Sequence, residues 1–291
     1  MGYNYVLFTD STCDLSNELY EKYDIQRLCL KVNLDGQTYE DNGKDLDPKD
    51  LYERMAGGST PTTMQVNVQQ FIDAFTPPLK NGQDVLYIGF STGLSGTYNS
   101  AHIAATELAD MFPERKIYTV DSLCAAGGEG LLVMLTAQRR LDGASIDELR
   151  DYAEATKLKV SHFFTVNDLF HLHRGGRVSK TSAIIGTLAG IKPAMYVDNN
   201  GKLCVGSKVR GRNAALKTIV NKLSELAEDT ENSMAVINHA NAPEEAQMVA
   251  DMMMEKMHFK EIKILPLGPV IGTHTGQGCI AIFAVGSERK W

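Results

Sequence analysis

The sequence predicts an α/β protein of two domains, an N-terminal mostly parallel sheet with flanking helices over residues 1–158 and a C-terminal mixed sheet covered by helices over 159–291. Two patterns predict it. In the first half, short β-branched or aromatic runs each give way to an amphipathic helical stretch, the βα rhythm of a parallel sheet. In the second half the runs outnumber the helical stretches between them, and a tight turn joins one pair, as in a mixed sheet. Length agrees: 291 residues are long for one compact unit and comfortable for two.

The elements follow in order. YVLFTD (5–10), DVLYIGF (84–90) and KIYTVD (116–121) are the strands of the first sheet, each preceding a helix-like run. Between the first two, CLKVNLDGQTYED (29–41) carries an Asp-Gly turn and reads as a hairpin that leaves the sheet. Asp47 and Pro48 supply an N-cap and a first-turn residue for the helix containing Leu51, Tyr52 and Met55. STPTT (59–63) is expected to be a loop before a helix capped by Asn67. Helices over about 123–140 and 145–157 close this half. HFFTV (162–166), the pair within 194–209 joined at Asn199–Gly201, SMAVINHA (233–240), EIKILPLG (261–268) and CIAIFAVG (279–286) are the strands of the second. Helices are expected near 180–190, 212–228 and 243–257.

Bulk composition removes several function classes. A formal charge of -7 opposes any affinity built on neutralising a phosphate backbone, so nucleic acid is not an expected partner. The five cysteines, Cys13, Cys29, Cys124, Cys204 and Cys279, are scattered without a C-x-x-C pair, which predicts free thiols in a reducing compartment. MGYNYVLFTD runs straight into a β-like segment, and no apolar run nears the roughly 18 residues of a spanning helix. A cytoplasmic protein without an integral membrane segment is expected. His171 and His173 form an H-x-H, but no Cys, and no carboxylate beyond Asp168, completes a metal set. No metal or cofactor is expected.

Candidate chemistry gathers in glycine-rich turns. GFSTGLSGTYNSA (89–101) has no Lys or Arg before Arg115, so it is no P-loop. Thr97 stands where a G-x-S-x-G elbow needs its last glycine. Ser95 is left either as a helix cap or as an anion holder at the mouth of a βα turn, which share one geometry. Thr62 and Thr63 place hydroxyls in a loop, and His274 sits among Gly272, Gly276 and Gly278 in a connection between strands. HLHRGGRVSK (171–180) reads as a structural turn in which Arg174 and Arg177 pair locally. A serine acyl hydrolase using Ser95 with His274 as base is the enzymatic alternative, and a kinase subunit lacks a nucleotide motif.

DSTCDL (10–15), TMQVN (63–67), GLSGTY (93–98), VDS (120–122), RGGRVS (174–179) and GTHTGQG (272–278) together resemble the DegV family of bacterial fatty-acid-binding proteins. The chain departs from the family pattern at Met64 and Val66, where Ser and Pro are usual, and at Gln277, where Pro is usual. The resemblance implies a long-chain fatty acid with its carboxylate held between the domains by Thr63, Ser95 and His274, with Gly96, Thr275 and Arg174 supporting them. It implies an apolar tunnel for the acyl chain and no catalytic residue. FakB-like carriers of the family present the bound acid to a fatty acid kinase, which makes acyl phosphate for phospholipid synthesis. Met248, Met252, Met253, Met254 and Met257 are then candidates for the tunnel wall, and Lys208, Arg210 and Arg212 for a docking patch.

Overall fold

The computed structural model describes residues 3–167, 169–179 and 190–291. The helix expected near 180–190 and the side chain of Asp168 fall outside the described residues.

Strands β1 (Tyr5–Asp10), β2 (Ile25–Leu28), β6 (Asp84–Gly89) and β7 (Ile117–Asp121) form an all-parallel sheet in the order β2-β1-β6-β7. Leu7, Val85, Leu86 and Ile88 have no exposed surface, as strands covered on both faces require. β2 is an addition to the expected set, laid beside β1. The hairpin forms as expected from β3 (Lys31–Leu34) and β4 (Gln37–Glu40), with Asp35 and Gly36 at φ 52° and 82°, the left-handed pair of a type I′ turn.

The loop expected at residues 62–63 is instead β5 (Thr62–Met64), which pairs antiparallel with β3 and completes a three-stranded sheet. Thr63 is therefore held by strand pairing opposite Val32. Asp47 caps the helix Pro48–Ala56, and Asn67 with Gln70 forms a reciprocal capping box on Val68–Lys80.

The second half builds a mixed sheet from β8 (Val160–Thr165), β9 (Ile191–Val197), β10 (Leu203–Arg210), β11 (Met234–His239), β12 (Glu261–Pro266) and β13 (Ile280–Val285). Its order is β10-β9-β8-β13-β11-β12, antiparallel throughout except for β11 beside β12. Alternation sends neighbouring side chains to opposite faces. Phe163, Ile280 and Ile282 pack outward beneath the helices Arg212–Leu226 and Pro243–Met257, while Phe164, Ala281 and Phe283 face the first half.

Two expectations on these outer helices are corrected. Met253 and Met257 fill the core between helix and sheet, and Met248 and Met254 are exposed, so this methionine cluster forms no wall of the internal cavity. Arg212 is turned inward, with Nη2 2.7 Å from Glu245, and also donates to the carbonyl of Gly278. Lys208 and Arg210 alone stay exposed.

The helix Gly127–Leu141 is buried over most of its length between the two larger sheets. Its glycines permit this. A Cβ at Gly127 would collide with Asn238, and one at Gly128 with His162. Gly127 N donates to Asn238 Oδ1 at 2.6 Å, tying the helix start to β11.

Candidate functional site

A cavity of about 420 Å³ lies between the carboxyl ends of the parallel strands and the inner face of the mixed sheet. Thr12, Leu30, Phe90 and Ala125, which follow β1, β2, β6 and β7, line it on one side. Phe164, Ala281 and Phe283 line it on the other. Open α/β sheets bind ligands in the crevice beyond their strand carboxyl ends, and a volume of a few hundred Å³ is that of a small-molecule site.

Thr63, Ser95 and His274 all border this cavity, each delivered by a different element. Thr63 Oγ1 stands 2.9 Å from His274 Nε2. His274 was expected in an open connection; it occupies the last turn of a helix, Pro269–Thr275. Pro269 starts that helix, and Gly276 ends it at φ 70°. His274 Nδ1 is buried without a partner among the described residues and faces Gly175, where a Cβ would collide with it. Burial first, then the nearby charges of Arg177 and Arg174, hold the imidazole down to about 3, so the ring is neutral at ordinary pH.

Ser95 lies beyond β6, immediately before the helix Thr97–Met111. Its Oγ accepts from Thr97 N at 3.2 Å and lies 2.9 Å from Thr97 Oγ1, so it serves the free amides of the helix start. Gly96 is the N-cap residue; a Cβ there would lie 2.5 Å from Gln65 Oε1. Thr275 Oγ1 donates to the carbonyl of Ile271 at 3.1 Å, within its own helix.

Arg174 ends the short helix Phe170–Arg174, exposed, its guanidinium 5.6 Å from the Phe170 ring centre and 3.4 Å from His171 Nδ1. It does not line the cavity. Arg177 does, donating to the carbonyls of Leu94 (3.2 Å from Nε) and Gly175. A second pocket of about 330 Å³ shares Thr63, Arg177 and His274 with the cavity and adds Arg174. The family resemblance chose Arg174 of this turn as a supporting residue, whereas the arginine on the cavity wall is Arg177.

These bonds do not form a hydrolytic triad. Ser95 Oγ bonds Thr97 and His274 Nε2 bonds Thr63, so the serine has no base. Among the described residues no acid meets Nδ1 of His274 to orient the ring. Among the described residues no group of three or more His, Cys, Asp or Glu is placed to hold a metal ion.

Buried acids missed in the sequence support the site from below. Gly268 N donates to Asp14 Oδ1 at 3.0 Å, at the start of the helix that carries His274. Asp41 lies beside it, and Asp14 Oδ2, Asp41 Oδ2 and Tyr52 Oη are buried without partners among the described residues. Burial raises Asp41 to about 7, and burial with the neighbouring Asp41 pushes Asp14 well up. DSTCDL holds two of the buried acids, Asp10 and Asp14, but nothing in its local pattern marks them as interior.

Comparison with known proteins is consistent across sequence and structure. A DegV domain-containing protein of Clostridium perfringens is 42% identical over 98% of this chain and 99% of its own length. The crystal structure of DegV, a fatty acid binding protein from Bacillus subtilis, superposes with a TM-score of 0.84 at 31% identity, covering 98% of this chain and 100% of that one. A stearic acid-binding protein from Eubacterium ventriosum gives a TM-score of 0.87 at 26% identity, covering 97% of this chain and 98% of that one. The family profile described as "Uncharacterised protein, DegV family" matches residues 4–287, and the chain belongs to the DegV family.

Proposed function

We propose that this chain binds one long-chain fatty acid, with the carboxylate at Thr63, Ser95 and His274 and the acyl chain in the cavity beneath them. The observation that carries the proposal is that those three polar side chains, two of them in hydrogen-bond contact, line one cavity whose wall is largely apolar, with Phe90, Phe164, Ala281 and Phe283 among it. The B. subtilis and E. ventriosum relatives support it, being described as fatty-acid- and stearic-acid-binding.

The physical chemistry divides the work. A dozen buried methylenes are worth roughly 10 kcal/mol gross, against about 1.5–3 kcal/mol for each hydrogen bond to a charged group. The tail supplies affinity and the head group supplies orientation. The hydroxyls of Thr63 and Ser95 and a neutral His274 hold the carboxylate by hydrogen bonds, with the Arg177 guanidinium on the same cavity wall. The amino end of Thr97–Met111 adds a favourable dipole beside Ser95.

In this proposal the chain is a carrier and not an enzyme: it presents the acid to a fatty acid kinase in the cytoplasm, feeding acyl phosphate to phospholipid synthesis. No helix among the described residues is long and apolar enough to cross a membrane. Native mass spectrometry of the purified protein tests the binding step. One fatty acid per chain is expected. Trace lipid only, together with no thermal shift on adding palmitate or oleate, would overturn it, because a ligand bound to the folded state must stabilise it.

A further inference from the structure

Outside the head-group residues, the cavity is lined by three titratable side chains, Arg177, Cys279 and His162. His162 on β8 lines it while only 1% exposed. Both ring nitrogens are already engaged. Nδ1 donates to the Val160 carbonyl at 2.8 Å, and Nε2 accepts from Ala125 N at 3.1 Å. Those bonds fix the tautomer, and burial with the charge of Arg289 holds the ring well below its usual range, hence neutral. What remains for the cavity is carbon.

Strand register places this ring at depth. Cys279, Ala281 and Phe283 line the cavity along β13, with Ala281 opposite Phe164 and Phe283 opposite His162. Each two-residue step advances about 7 Å, so Phe283 and His162 lie roughly 13 Å beyond Cys279 along the strand. His162 cannot retreat. A Cβ on Gly128 would collide with Nε2, so the start of the buried helix stands directly behind the ring. Phe283 meets it edge-on, with ring centres 5.2 Å apart at 87°.

The choice of residue type has a local cause. Ala126 is at φ 52° as the chain turns into the helix, and this turn leaves the Ala125 amide pointing inward. An imidazole satisfies that amide and still offers an apolar edge; phenylalanine would leave the amide unpaired.

We infer that His162 ends the acyl track and sets the longest chain the cavity accepts, which makes it a specificity-determining residue. The inference rests on the proposed fatty-acid binding and goes beyond it by naming the stop. The test is competition. Delipidated full-length protein is offered an equimolar mixture of tetradecanoic, hexadecanoic, octadecanoic and eicosanoic acids, and the bound acid is identified by native mass spectrometry.

His162→Ala should enrich the next longer acid over the wild-type optimum by about tenfold, the worth of two newly buried methylenes. Phe283→Leu, which leaves the Ala125 bond in place, should shift the profile the same way by a smaller factor. Ala281→Leu, which fills the track before the stop, should shift it toward shorter acids. An unchanged profile in both His162→Ala and Phe283→Leu, with one acid still bound per chain, would overturn the assignment of the stop. Wild-type protein that holds none of the four acids would instead overturn the binding proposal beneath it.

Discussion

Thr63→Val separates the head group from the tail with almost no change in shape. Thr63 Oγ1 is the partner of His274 Nε2 at 2.9 Å, and Nδ1 of the same ring has none among the described residues. Valine therefore leaves a buried imidazole with no partner among the described residues, which costs about 1–3 kcal/mol of stability. With ligand bound, the same substitution removes one donor to a carboxylate, worth about 1.5–3 kcal/mol, or roughly ten- to a hundredfold in Kd. The apolar wall is untouched, so the bulk of the affinity should remain. Calorimetric titration of delipidated protein with oleate measures the second quantity, and urea denaturation of the same sample measures the first. A Kd within threefold of wild type would refute the placement of the carboxylate at Thr63. Loss of all binding would refute the division of labour between head and tail.

Asp41 should make the protein less stable as pH rises. Its carboxyl is moved from 3.8 to about 7, so the folded state keeps a proton that the unfolded chain releases. The cost grows from about pH 4 and is complete above about pH 7, reaching about 4 kcal/mol. Asp41→Asn should lessen that decline, the buried Asp14 leaving part of it, and urea midpoints at pH 5 and pH 8 that fall equally in both proteins would contradict it. Brief alkylation of native protein should modify Cys29 and Cys204, which are partly exposed, and spare the buried Cys13, Cys124 and Cys279. Mass mapping that finds a disulfide, or a buried thiol labelled first, would refute this. Gly175→Ala should weaken fatty-acid binding severalfold by displacing His274, whose Nδ1 leaves no room for a Cβ; an unchanged oleate titration would show that the ring's position is immaterial.

Local signals carried much of the architecture. Asp35–Gly36 announced the hairpin, and Asp47 and Asn67 announced helix starts, because turns and caps depend on a few adjacent residues. β2 and β5 escaped. Ile25–Leu28 and Thr62–Met64 are four and three residues long, and only their partners β1 and β3 make them strands. Glycine and threonine content disguised the helix Pro269–Thr275, although Pro269 at its first position was a readable start signal.

At the site, Ser95 was left open between cap and anion holder; the N-cap position falls to Gly96, and Ser95 Oγ accepts from Thr97 N one residue before it. Thr63 and His274 lie 211 residues apart, and no local pattern reveals their contact. Their grouping came from the family motifs. Arg212 shows the same limit, since its turn inward is set by Glu245 on another helix.

The buried helix between the sheets bears on traffic. With Gly127 and Gly128 seated against Asn238 and His162, the two larger sheets are keyed together and cannot part like a clamshell without breaking that contact. In the binding mode proposed above, a long occupant then slides out lengthwise past Thr63, Ser95 and His274, surrendering its methylenes one after another. At about 0.8 kcal/mol each, every added carbon slows spontaneous escape by roughly fourfold. Dissociation rates measured by dilution into an albumin sink should fall geometrically with chain length; a rate indifferent to length would mean that the body opens sideways. For a carrier with this escape law, residence of a long acid is kinetic as much as thermodynamic, and a recipient gains speed by acting on the acid in place at the mouth.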